Sequence, residues 1–300
     1  MPPEQPTEPD LPDHDLDLND PEVVAKLFRL AAAANLDSSN RQGGIAELPN
    51  RGRLLMTGDL HDHLPNFRRI LKLARLDQSA HHLILHEIVH GPNRVNGCDL
   101  SIRLLARVAS LKHRYPDQVL LLQSNHELAQ LSGERILKQG VDVVEAFDAG
   151  LEFIYRSEAV VVRRALDQYL RSLLLGVRCS NGIMCCHSLP SPRKLHDFDP
   201  HVLKRMPTDQ DLAPSGSVHL MVWGRKHNQQ VADELGRIWN ARVFVMGHQM
   251  AEMGFDLEAD SMLVINSDHE HGVALPIDLE RSYRRDELVE RIIPLASVAL

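Results

Sequence analysis

A chain of 300 residues, 43% apolar and 25% charged, has material for one large core and the make-up of a water-soluble globule. Its formal charge of -8 sits at one end: the first 22 residues hold Glu4, Glu8, Asp10, Asp13, Asp15, Asp17, Asp20 and Glu22 with no lysine or arginine, leaving 33 basic and 33 acidic residues beyond. A neutral body excludes a general nucleic-acid footprint, and no apolar run approaches the roughly 20 residues of a bilayer span, which excludes a helical membrane protein.

Residues 1–22 also contain Pro2, Pro3, Pro6, Pro9, Pro12 and Pro21, with too little apolar material to offset the entropy of ordering them. They read as a disordered acidic tail ahead of one domain over 23–300. The tail has neither the basic start nor the apolar stretch of a secretory signal, so a cytoplasmic location is expected. Cys98, Cys179, Cys185 and Cys186 match no disulfide or zinc spacing and are expected as buried reduced thiols.

Helical spacing over Pro21 to Ala34 gives way to a polar loop, and Arg53 to Thr57 reads as a buried strand running into Gly58. Pro65 to Leu76 repeats apolar residues at helical intervals (Phe67, Ile70, Leu71, Leu73, Ala74). His82 to Leu85 is a second strand, Ser101 to Tyr115 an amphipathic helix and Val119 to Leu122 a third strand. This alternation predicts a parallel sheet with right-handed crossovers, in which ligands gather beyond the carboxyl ends of the strands. A mostly helical stretch, about 133–175, reads as an insertion. Val177 to Ser180 and Ile183 to Cys186 flank Asn181-Gly182, a two-residue hairpin turn. Gln229 to Trp239 predicts a helix, and Ala241 to Met246, Met262 to Asn266 and Val273 to Leu279 predict strands. The shift to hairpin-rich order predicts two facing sheets between helical layers, with residues 281–300 as a C-terminal excursion.

Five of these segments end in hard ligands: Gly58-Asp59-Leu60-His61, His86-Glu87, Ser124-Asn125-His126-Glu127, Cys186-His187 and Gly247-His248. Oxygen and imidazole donors gathered at strand ends suit a pair of divalent cations. Asp59 and His61 can meet one cation, Glu87 has two oxygens to bridge two, Asn125 offers an amide oxygen to the second, and His187 and His248 add imidazoles. Two cations ~3.5–4 Å apart acidify a shared water and polarise a phosphoryl oxygen, so hydroxide attacks in line. His126, beside a ligand, is placed to protonate a departing alkoxide. The trio His269, Glu270 and His271 reads as a solvated turn, and Asp62-His63 as either pocket lining or a helix start.

These segments resemble, in order, the motifs of the calcineurin-like metallophosphoesterase superfamily, most of all its phosphoprotein phosphatase branch. Gly58-Asp59-Leu60-His61 matches the first motif. Leu85-His86-Glu87-Ile88-Val89-His90-Gly91-Pro92 stands where Gly-Asp-x-x-Asp-Arg-Gly-Pro is expected, and Ser124-Asn125-His126-Glu127 replaces Gly-Asn-His-Glu. His187-Ser188-Leu189-Pro190 and Gly247-His248-Gln249 are similar to the last two motifs, Met221-Val222-Trp223-Gly224 echoes Leu-Leu-Trp-Ser, and Asn266-Ser267-Asp268-His269 lies where a Ser-Ala-Pro-Asn loop would run. The resemblance covers roughly Arg53 to Leu279. It implies a four-layer α-β-β-α sandwich with two metals such as manganese, iron or zinc. It also implies hydrolysis of a phosphoprotein, a dinucleoside polyphosphate or another small phosphate ester. Glu87 stands for an aspartate, His90 for the carboxylate that orients the catalytic histidine, and Gly91 and Gln123 for two phosphate-clamping arginines. Arg94, Arg225 and His90 are the expected substitutes for phosphate binding. The same departures also suit a noncatalytic metal-binding or regulatory protein on this fold.

Overall fold

Alternation along the strands sorts the side chains into layers. In the Arg53–Thr57 strand, Leu54 and Met56 point into one core while Leu55 points into another, and in His81–Leu85 the residue Ile84 opposes Leu83 and Leu85. The same holds for Ile183–Cys186, where Ile183 and Cys185 face inward and Met184 and Cys186 outward. Every strand in these positions is buried on both faces, which requires a layer on either side.

The computed structural model describes residues 16–300, and it forms two such sheets. A five-stranded sheet runs Ile293–Pro294, Val273–Asp278, Arg53–Thr57, His81–Leu85, Val119–Leu121, the last three parallel (Arg53 opposite His81, Leu83 opposite Val119). A seven-stranded sheet runs Arg41–Gln42, Ile45–Leu48, Gly176–Cys179, Ile183–Cys186, Val243–Met246, Met262–Ile265, Phe255–Glu258. Leu54, Met56, Ile84 and Leu275 of the first meet Val177, Cys185, Val245 and Leu263 of the second in a shared core. Helices Pro21–Leu36, Leu64–Ala74, Ile102–Arg114, Val143–Tyr155 and Ala159–Arg171 cover the outer face of the five-stranded sheet; Gln229–Trp239 and Ser217–Val222 cover that of the other. The expected four-layer α/β sandwich is therefore the observed one.

Single bridges join the two sheets where their strands end. Asp59 pairs with Asn266, the Ser267 N–H donates to the Asp59 carbonyl at 3.1 Å, and Leu122 pairs with Leu174. This brings the carboxyl ends of both sheets to one place.

The differences from the expected elements are local. The hairpin loop is Ser180-Asn181-Gly182, three residues, closed by the Gly182 N–H on the Cys179 carbonyl. The Ile45–Leu48 strand falls in the stretch read as a polar loop, and Phe255–Glu258 is a strand in a stretch given no expected element. The expected disordered tail lies outside the described residues as far as residue 15. Over 16–22 the chain is packed: Leu18 is buried, its carbonyl accepts from the Tyr155 hydroxyl at 3.0 Å, and Asp20 caps the Pro21–Leu36 helix. The helices of the stretch about 133–175 share the core of the first helical layer, with the Phe28 and Tyr169 rings 5.2 Å apart. All four cysteines are free thiols, three of them buried. Among the described residues no helix is long and apolar enough to cross a membrane.

Because Met56 is 0% exposed between the sheets, Met56→Ala is expected to remove about 2–5 kcal/mol of stability. Urea unfolding of the purified protein measures it, and a loss below about 1 kcal/mol would contradict the two-sheet core.

Candidate metal centre

At the joined strand ends, oxygen and imidazole ligand atoms aim at one volume. His187 Nε2 lies 2.9 Å from Asn125 Oδ1, 3.0 Å from Glu87 Oε2 and 3.1 Å from His248 Nδ1. The tautomers follow from neighbours. The His86 Nε2–H donates to the Thr57 carbonyl at 2.8 Å, and burial followed by the His187 charge pushes His86 down to about 3, so its Nδ1 carries a lone pair. The His187 Nδ1, 2.9 Å away, must therefore carry a proton, so in the neutral ring Nε2 faces the Asn125 and Glu87 oxygens as a lone pair. Glu87 Oε2 and His248 Nε2 are buried with no hydrogen-bond partner among the described residues. A cation is what such a set fits.

A second set shares Glu87. The His61 Nδ1–H donates to the Val89 carbonyl at 2.8 Å, so Nε2 presents a lone pair 2.9 Å from Glu87 Oε1, with His126 Nε2 3.8 Å from the same oxygen. Asp59 completes a third group with His86 and His187, each nitrogen 3.6 Å from its Oδ1, while both carboxylate oxygens accept the His248 N–H at 2.9 Å. All six expected ligands thus converge. His86 joins them from a motif position where glycine is expected, a contribution its residue type signals and its place in the motif conceals.

Local structure holds these groups in place. Ser124 caps the Asn125–Ser132 helix, accepting the His126 and Glu127 N–H groups, so Asn125 and His126 occupy its first turn. Glu127 accepts the Ile88 N–H at 2.7 Å and so ties that turn to the Glu87 loop. His61, Asp62, Glu87, His90 and His248 all adopt left-handed backbone, which costs a non-glycine residue of order 1–3 kcal/mol where the surroundings impose it. At Gly247 a Cβ would stand 2.3 Å from Asp59 Oδ1 and 2.5 Å from His86 Cε1, so only glycine lets these ligands in.

His126 is oriented from behind. Gln130 Nε2 donates to Asp148 at 2.8 Å, which turns Oε1 toward His90 Nε2 at 3.0 Å and makes that nitrogen the donor. Burial pushes His90 down to about 4, so its Nδ1 accepts from the His126 Nδ1–H at 2.8 Å. His126 Nε2 is thereby left facing the site. Asp148 in turn pairs with Arg163.

The centre lies in a cleft of about 510 Å³ whose lining includes Lys138, Arg225, Gln249, Met250, Glu252, Asp268 and the trio His269, Glu270, His271. Arg225 lines it and donates to the His248 carbonyl at 2.9 Å. His90 does not line the cleft, being 2% exposed behind His126. Arg94 does not either: it pairs in register with Asp99, and its charge opposes the burial that raises that carboxyl. The trio expected as a solvated turn forms the rim, with Glu270 exposed. His63 caps the Leu64–Ala74 helix, accepting the Asn66 N–H, and Asp62 packs behind Gly91.

No family model and no curated protein matches the sequence. Among solved structures the chain is similar to a protein serine/threonine phosphatase from Saccharomyces cerevisiae with similarity to human phosphatase PP5. The match has 16% identity and a TM-score of 0.65 over 91% of this chain and 88% of that one. It is also similar to a cold-active protein-tyrosine phosphatase of a psychrophilic Shewanella species, at 14% identity and a TM-score of 0.54 over 78% of each chain. At such identities the likeness is one of fold.

Burial and neighbouring charge shift the proton affinities of the ligand groups. Burial lowers the His61 pKa, but Glu87 outweighs it and lifts it to about 9. Burial, then the Glu87 charge, lifts Asp59 to about 7. His187 is likewise raised by Glu87 against its burial. A cation must displace these protons, so divalent-metal affinity is expected to rise with pH from about 6 to about 9, with proton release on binding. Titration calorimetry in buffers of different ionisation enthalpy reads this directly. A pH-independent affinity with no proton release would contradict the assignment.

Proposed function

We propose that this chain is a two-metal phosphoesterase. The supporting observation is the convergence of Asn125, Glu87, His187 and His248 next to the His61 and Asp59 groups, with Glu87 shared, beside an open cleft. Asp59, His61, Glu87, Asn125, His187 and His248 would hold the ions, with His86 fixing the His187 ring from behind. Manganese, iron or zinc suits a mixed imidazole and oxygen set. Bound there, such ions supply an acidified water and polarise the phosphoryl oxygen.

The chain's own groups handle the remaining protons and charge. Burial pushes His126 well below its ordinary pKa against the pull of Glu87, so it enters the reaction neutral. It is therefore suited to take up a proton from the solvent of the cleft and give it from Nε2 to the departing oxygen, while the attacking water loses its own proton to solvent on the other side of phosphorus, yielding phosphate and alcohol. Arg225 at the cleft wall is placed to meet phosphoryl oxygens. Of the expected substrates, the carboxylates Glu252, Asp268 and Glu270 on the rim favour a phosphoprotein or simple monoester over a dinucleoside polyphosphate, because like charges repel along the approach. Four unpaired thiols suit a reducing, cytoplasmic setting.

Metal-loaded protein is expected to hydrolyse at least one of p-nitrophenyl phosphate, bis-p-nitrophenyl phosphate, a phosphopeptide and diadenosine tetraphosphate, with His126→Asn lowering kcat about a hundredfold or more. Inactivity on all four with metal bound would refute the enzymatic reading and favour the noncatalytic one, to which Gly91 and the buried Gln123 lend support.

A further inference from the structure

The cleft needs positive charge to hold a phosphoryl group, yet the two positions where the resemblance calls for arginine cannot supply it. A Cβ at Gly91 would stand 2.6 Å from the Asp62 Cβ, so no side chain fits there without displacing that residue. Gln123 is 2% exposed and does not line the cleft. Among the described residues only two lysines or arginines line it, Arg225 and Lys138.

They stand on opposite flanks of the centre. Arg225 donates to the His248 carbonyl, on the side of the Asn125, His187 and His248 group. Lys138 Nζ lies 2.9 Å from His61 Nε2, on the side of the His61, Glu87 and His126 group. In the neutral ring His61 Nε2 is the lone-pair nitrogen, because Nδ1 donates to Val89. The ammonium thus occupies the place of the cation that His61 is expected to ligate.

A braced hairpin presents Lys138. Leu137–Lys138 pairs with Val141–Asp142 across Gln139 (φ 53°) and Gly140 (φ 80°), the doubly left-handed two-residue turn that matches strand twist. Arg135 pairs with Asp142 at 2.8 Å, and Asp142 caps the Val143–Tyr155 helix through the Val144 and Glu145 N–H groups. The lysine is therefore carried by a fixed ribbon at the cleft mouth.

We infer that Lys138 is the phosphate-binding cation on the His61 side of the cleft, taking the part the absent arginines leave open and acting opposite Arg225. This rests on the phosphoesterase reading. Once a divalent ion uses the His61 lone pair, the ammonium loses its acceptor and is repelled by like charge. Phosphoryl oxygens in the adjoining cleft are acceptors of complementary charge within the reach of a flexible four-carbon stem.

The test uses the full chain loaded with manganese and inorganic phosphate as the probe, titrated calorimetrically. Lys138→Ala is expected to weaken phosphate binding about tenfold or more with metal content unchanged, Lys138→Arg to stay within about threefold of the native value, and Leu137→Ala on the same hairpin to change nothing. Unchanged phosphate affinity in Lys138→Ala overturns the inference. So does loss of metal in that variant, which would make Lys138 part of the scaffold of the ion site, and so does undetectable phosphate binding by the native protein. If phosphate binding depends on Lys138 but no ester is hydrolysed, the inference stands and the enzymatic reading falls. If esters are hydrolysed with the same KM in Lys138→Ala, the reverse holds.

Discussion

Lone pairs turned toward one another inside a protein repel, and burial removes the water that would otherwise solvate them. With its ring neutral, His187 Nε2 faces the Asn125 and Glu87 oxygens in this way, and a second set around His61 shares the same carboxylate. Positive charge relieves the arrangement: Glu87 raises the proton affinity of His61 and His187, and the Lys138 ammonium stands 2.9 Å from the neutral His61 ring. Much of the surrounding structure maintains this opposition. The single bridge between Asp59 and Asn266, the Glu127 hydrogen bond to the Glu87 loop and the left-handed backbone at five positions all hold donors where they would not settle alone.

The charge around the centre is uneven. Lys138 and Arg225 line the cleft together with the carboxylates Glu252, Asp268 and Glu270. An anion held between the two cations is attracted, and an extended polyanion also meets the carboxylates. Under the proposed reading, where a molecule carries its negative charge therefore enters selectivity.

The layering was legible in the sequence because strands buried on both faces are continuous apolar runs, and Arg53–Thr57, His81–Leu85 and Val243–Met246 have no other use for such composition. Ile45–Leu48 and Phe255–Glu258 were not, the first because it is short and set in a polar loop, the second because it is a half-exposed edge strand whose residues owe their conformation to the neighbour at Met262–Ile265. The ligands at strand ends could be read from residue type and order. His86 could not, since its partners Thr57 and His187 are distant in sequence. Lys138 was equally hidden: nothing in a Leu-Lys-Gln-Gly stretch says which cleft the turn will overhang. Arg94 and His90 show the converse, being near the motifs in sequence yet facing Asp99 and Gln130.

The Asp148 carboxylate has a reach that its distance from the cleft conceals. It can only accept hydrogen bonds, so it fixes the amide of Gln130, and through that amide and His90 it dictates which nitrogen of His126 is bare. The Val143–Tyr155 helix that bears it is thus no detachable lid. Transplanting or trimming that segment would leave the first-turn imidazole free to interconvert between its two neutral forms, so chain length in this region is constrained by the chemistry at the strand ends as much as by packing.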